Sequence, residues 1–193
     1  MAMPILTFDD RALSPSFGYV FQRRWLQPYE SIVGILWKFA RMNRLPAHTV
    51  VMHLRRGDLD PYAGINPLEV DVSLVARLLG ITRKSVSDGV GRCHEAACPL
   101  LRTCGRCLSL GYHARLHQLL RHERCPIHGQ PLQTLCRRCG QACTYRLNAL
   151  LIDAAFRCAH CRAYRTFTGS APTSWCLPLP TKDRIAITRA ALA

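Results

Sequence analysis

Four pairs of metal-capable side chains, each pair separated by two residues, constrain this chain more than any other feature. They are Cys104 with Cys107, Cys125 with His128, Cys136 with Cys139, and Cys158 with Cys161. Two ligands at that separation can grip one ion from a single tight turn, and two such turns complete a tetrahedral shell. In chain order, 17 residues separate the first two pairs and 18 the last two. Both gaps suit zinc ribbons and related knuckles. Gly129 and Gly140 follow two of the pairs, where a backbone must turn tightly. The spacing predicts two closed structural zinc sites, one on Cys104, Cys107, Cys125 and His128, the other on Cys136, Cys139, Cys158 and Cys161. Sequential pairing is preferred to a crossed one, in which the first pair would join Cys136 and Cys139, because nearer partners cost less loop entropy. A full shell leaves no place for a reacting water, which argues against catalytic zinc. An iron–sulfur cluster stays open as the alternative for the four-cysteine set.

Eleven cysteines would suit a disulfide framework in a small secreted protein. Residues 1–10, however, have no basic start and no long apolar run, and they include two aspartates. The longest apolar stretch, Ile32 to Trp37, is too short to span a bilayer. The expectation is a cytoplasmic protein with no membrane association, whose thiols serve as ligands. Cys93, Cys98, Cys143 and Cys176 are read as buried thiols or spectators, with Cys93 or Cys98 the alternative ligands for the first site. His113, His117 and His122 are read as the polar shoulder of a helix around Leu116, Leu119 and Leu120. His94-Glu95 with Cys98 lacks the second histidine of a metalloprotease helix, and Gly89-Val90-Gly91 lacks the further glycine of a dinucleotide loop. No nucleophile-and-base set stands out, so no enzymatic activity is expected.

The formal net charge is +14, and it is concentrated. Residues 92–165 carry 12 arginines, no lysine and only 3 acidic groups. Counting seven thiolates and two divalent ions leaves the holo chain at about +11. Arginine's planar fork suits phosphate, so DNA or RNA is a candidate partner. A basic surface kept for solubility is the plainer alternative. Candidate nucleic-acid or partner contacts are Arg83, Lys84, Arg102, Arg106, Arg137, Arg138 and Arg162.

Three regions are expected: helical residues 1–91, a tandem zinc-ribbon domain over 92–165, and a tail over 166–193. Residues 1–28 read as irregular. Ile32, Ile35, Leu36 and Phe39 recur at helical spacing, predicting a helix from Glu30-Ser31 to Asn43. A second helix is predicted over His48–Arg55, then a loop over Asp58–Pro67. Asp71 or Ser73 can cap a helix through Leu79 that ends at Gly80, and Thr82 can cap another through Val86. That layout is a helix-turn-helix near residues 70–90, used either to read DNA or to pack and dock protein. Asp183–Leu192 is expected to be helical. The fold class is α+β, mainly helical.

The run Cys104-Gly-Arg-Cys-Leu-Ser-Leu-Gly-Tyr-His, then Cys125-Pro-Ile-His-Gly, then Cys136-Arg-Arg-Cys-Gly, resembles the TniQ family, as does Tyr29-Glu30-Ser31-Ile32 ahead of a helix ending near Arg41-Met42-Asn43. The resemblance covers roughly residues 25–165. It implies a helix-turn-helix region joined to paired zinc ribbons, and a non-enzymatic role in transposition. The implied partners are an AAA+ transposition regulator and either target DNA or a target-recognition complex, in some members an RNA-guided CRISPR effector. The long C-terminal extension of TnsD-type members is not matched, which favours a compact adaptor. A free-standing zinc-containing DNA- or RNA-binding regulator is the alternative, and a homodimer is left open.

Overall fold

The structure, a computed structural model, describes residues 19–91, 96–173 and 177–192. Cys93, His94, Glu95 and Cys176, and the irregular reading of residues 1–18, fall outside the described residues. The described chain is mostly helical. Where strands are expected, backbone pairing is limited to isolated antiparallel bridges such as Arg124 with Pro131, Leu135 with Ala142, and Arg157 with Tyr164. Each closes one tight turn, and Pro131 has no N–H with which to extend its ladder.

Helix α1 (Ile32–Asn43) begins where the Ser31 hydroxyl accepts from the Gly34 amide at 3.1 Å, and it ends at Arg44 in the left-handed region. Every residue from Ile32 to Ala40 is buried, so α1 is enclosed on all sides. Even Lys38 is enclosed: its ammonium lies 2.7 and 2.9 Å from the Glu30 carboxylate and 2.8 Å from the Trp25 carbonyl. Helix α2 (Ala47–Met52) stops three residues short of the expected end, because the amides of His53 and Leu54 turn back to Val50 and Val51. Helices α3 (Val72–Leu79) and α4 (Arg83–Val90) are capped by Asp71 and Thr82. Gly80, at φ 63°, makes the turn between them, and Ile81 is buried in it. Gly89 lets α4 sit against the start of α1, since a Cβ there would come within 3.0 Å of the Glu30 carbonyl oxygen.

The remaining helices are α5 (Gly105–Ser109), α6 (Ala149–Asp153) and α7 (Thr181–Leu192), the last starting two residues before the expected Asp183. Apolar residues on both sides of the expected 91/92 boundary share one cluster. Ile32, Trp37 and Leu79 pack in it with Leu101, Leu108, Leu147 and Phe156. Helix α6 packs on α1 and α2, and the Trp37 indole donates to the Leu151 carbonyl at 2.8 Å. The C-terminal segment is also anchored: Ile187 and Leu179 are buried in a second cluster with Tyr112, Leu116 and Leu119. No helix among the described residues is long and apolar enough to cross a membrane.

Candidate metal centres

Eight ligand atoms converge in two groups, Cys104, Cys107, Cys125 and His128 in one, Cys136, Cys139, Cys158 and Cys161 in the other, and each group can hold a metal ion. In the first, Cys107 Sγ lies 3.5 Å from Cys125 Sγ, and His128 Nδ1 lies 3.5, 3.3 and 3.7 Å from the sulfurs of Cys104, Cys107 and Cys125. In the second, Cys136 and Cys161 sulfurs are 3.7 Å apart, as are those of Cys139 and Cys158. A tetrahedral ion with bonds of about 2.3 Å to sulfur spaces its sulfurs about 3.8 Å apart. Cystine sulfurs lie about 2.05 Å apart, and all of these cysteines are free thiols. The sets are the sequential ones rather than the crossed ones. Cys98 and Cys143 belong to neither group.

Three of the four turns share one local geometry. The amide of the first ligand donates across the turn (Cys125 to Gln130, Cys136 to Gln141, Cys158 to Ala163). The fifth residue, Gly129, Gly140 or Arg162, donates back to the first ligand's carbonyl at a φ of 61–69°. Arg162 therefore takes the left-handed place that glycine fills in the other two turns. The Cys104–Cys107 pair is built differently. Cys104 precedes α5 and Cys107 lies within it, so the first group joins a helical turn to a single knuckle.

The electrostatics suit a cation. In the bare protein, hydrogen bonds from Cys107 and Cys125 pull the Cys104 thiol well below its usual range. Burial, reinforced by Cys104 and Cys125, pushes the Cys107 thiol far up. Sulfurs this close cannot all ionise side by side, and a divalent ion removes the conflict. Further groups orient the ligands: Arg138 N approaches Cys136 Sγ at 3.4 Å, and His117 Nε2 approaches Cys125 Sγ at 3.5 Å.

The histidines correct the sequence expectation. His113 and His117 are fully buried rather than lying on a polar helix shoulder, because only Arg115–Gln118 forms a short 3-10 turn there. His113 locks α1 to the first metal loop. The Ser31 hydroxyl, which accepts from Gly34, donates to His113 Nδ1 at 2.6 Å, and Nε2 donates to the Arg102 carbonyl at 2.9 Å. That chain requires a neutral ring, and burial first of all pushes the His113 pKa down from 6.5 to about 4. A folded-state pKa below the unfolded one gives stability that is complete above about pH 6.5 and lost as pH falls towards 4. At about 1.4 kcal/mol per unit this amounts to roughly 3 kcal/mol. In saturating zinc, the protein should therefore lose about that much more stability between pH 6.5 and 4 than a His113→Asn variant. Ligand protonation is common to both proteins, so parallel denaturation curves would refute the assignment.

The arginines divide into two sets. Arg102 is no surface contact: it is buried, with Nη1 donating to the Leu119 carbonyl at 3.0 Å and Nη2 to that of His122. Arg165 Nη2 donates to the Thr134 carbonyl at 2.9 Å, Arg146 Nη2 to Gly64 at 2.7 Å, and Arg124 Nη1 to Gly129 at 3.0 Å. Strand ladders are almost absent among the described residues, and these forks satisfy loop carbonyls there. Arg83, Lys84, Arg106, Arg137, Arg138 and Arg162 are exposed. Of these, Lys84 pairs with Asp88 at 3.0 Å and Arg162 with Asp153 at 2.9 Å. Arg165 and Phe167 were not singled out by sequence, where one reads as another basic residue and the other as part of a tail.

Neither a protein-family model nor a curated protein sequence matches this chain.

Proposed function

We propose that the protein is a non-enzymatic, zinc-held adaptor of the TniQ type, linking a target-recognition complex or target DNA to an AAA+ transposition regulator. The observation that carries this reading is the convergence of two complete four-ligand groups at the motif positions that resemble the family. Zinc is the metal that three thiolates with one imidazole, and four thiolates, suit best. Complete shells leave the ions a structural role. The pair α3 and α4, with a caps-and-glycine turn between them, supports a helix-turn-helix, and the two knuckles of the second group support a ribbon. The shared core holds these parts in fixed relation, as suits an adaptor that must present two surfaces at once.

The test is co-purification of the zinc-loaded protein with an AAA+ ATPase encoded beside its gene, followed by a transposition assay with that ATPase and its transposase. The adaptor should be retained by the ATPase and be required for targeted insertion. Insertion that proceeds equally well without it would overturn the reading. A second reading, a free-standing nucleic-acid-binding regulator, is favoured by the exposed Arg106, Arg137 and Arg138. It requires tight binding to nucleic acid by the isolated protein, with affinity falling steeply as salt rises.

A further inference from the structure

We propose that the groove between the two metal loops binds single-stranded nucleic acid, with phosphate on Arg137 and Arg138 and one base on Phe167. This deepens the nucleic-acid arm of the reading above by assigning it a site and a substrate class. The groove has a volume of about 270 Å³ and none of its lining residues is acidic. That lies just below the roughly 300–1,000 Å³ typical of ligand pockets, a scale that suits one nucleotide unit at a time.

Each wall is fixed by a metal loop. Arg137 and Arg138 occupy the two positions between the ligands Cys136 and Cys139, and both are exposed. Arg137 Nε is tied to Gln133 Oε1 at 3.1 Å, which orients its fork. Opposite them, the Phe167 amide donates to the Gly105 carbonyl at 2.9 Å and the Ser109 hydroxyl at 3.0 Å, so α5 of the first centre sets the ring's position. The backbones meet closely there: a Cβ on Gly105 would lie 3.2 Å from Phe167 N.

The aromatic wall suits a base. Phe167 is 49% exposed, which leaves part of its ring open to a base. Arg106 lies over it, its guanidinium carbon 5.2 Å from the ring centroid, giving the stacked pairing of cation and aromatic that single-strand sites use. Arg165 also lines the groove, but its guanidinium is buried and turned to the Thr134 carbonyl, so it shapes the wall rather than meeting the strand. Duplex bases are stacked on each other and not free to meet Phe167. Helix α4 is the weaker candidate, since Asp88 neutralises Lys84 on its outer face.

The test uses the full zinc-loaded chain and labelled 12-nucleotide oligo-dT and oligo-U, with binding followed by fluorescence anisotropy across a salt series. Phe167→Ala should weaken binding about tenfold and Phe167→Trp should restore it. The double variant Arg137→Gln with Arg138→Gln should lower the salt slope by about 1.4, the value for two lost phosphate contacts on a single strand. Ultraviolet crosslinking of the unaltered protein should map to residues 164–168, a readout independent of how any variant folds. Unchanged affinity in Phe167→Ala, equal affinity for duplex or for polyglutamate, or crosslinks confined to α4 would each overturn the proposal. Loss of strand binding while the ATPase still co-purifies removes the groove alone. Strand binding without the ATPase removes the adaptor role alone.

Discussion

Stripping the metal should unfold the protein well beyond residues 104–161. Each structural zinc contributes on the order of 10–16 kcal/mol of apparent binding free energy, while a domain's whole stability is typically about 5–15 kcal/mol. Helix α6 lies in the loop between Cys139 and Cys158, and it packs on α1 and α2. Without the second ion the two ends of that loop are no longer fixed to each other, and its apolar contacts and few hydrogen bonds to α1 and the segment 61–65 are left to hold this wall of the shared core. Trp37 reports the event directly, because its indole donates to Leu151 in α6 and its ring lies 5.2 Å from Phe156. A zinc-selective chelator at neutral pH should abolish most of the helical circular dichroism and shift tryptophan emission to the red, both reversed by added zinc. Cys158→Ser should produce the emission shift even with the first centre intact. A fully demetallated protein with unchanged dichroism and emission would falsify the structural role of the ions.

Replacing Lys38 by alanine should cost about 3–5 kcal/mol, the scale for breaking a buried ion pair from one side. Both side chains are 1% exposed. Burial pushes the Glu30 carboxyl up and Lys38 holds it back, so removing the ammonium strands a carboxylate in the interior. It also removes the shorter of two hydrogen bonds to the Trp25 carbonyl, 2.8 Å from Lys38 against 3.4 Å from Gln27 Nε2. In saturating zinc the urea midpoint should fall by roughly 2 M. Glu30→Gln combined with Lys38→Met should recover most of the loss, because two neutral groups of similar volume need no mutual compensation. A double variant as unstable as Lys38→Ala would show that the damage comes from packing rather than from the stranded charge.

The metal groups were legible in the sequence because two-residue spacing is a local property, and so were the helix start near Ser31, the Thr82 cap, and the Asp71-or-Ser73 cap, which falls on Asp71. The long-range partners were not. The pattern Ile32, Ile35, Leu36, Phe39 marks one apolar face, but α1 is enclosed on every side because α6 arrives from more than a hundred residues away. A lysine in a helical pattern reads as solvent-facing, and only the distant geometry of Trp25 and Glu30 places Lys38 inside. The same limit applies to His113, whose partners Ser31 and Arg102 come from separate segments. Periodicity around Leu116 implied a helix, whereas the chain makes one 3-10 turn and then needs its side chains to satisfy neighbouring loops. The arginine-rich composition was read as a surface for anions. Arg102, Arg124, Arg146 and Arg165 serve loop carbonyls instead.

Of these, Arg102 and Arg165 turn into the interior, where a carbonyl dipole does not cancel a full charge. Their field reaches past the surface, to a range of about 10 Å at moderate ionic strength. An approaching polyanion is thus drawn in by side chains it never touches. Encounter rate and grip are set by different arginines: neutralising an interior one slows capture, whereas neutralising one on the rim shortens the lifetime of the complex.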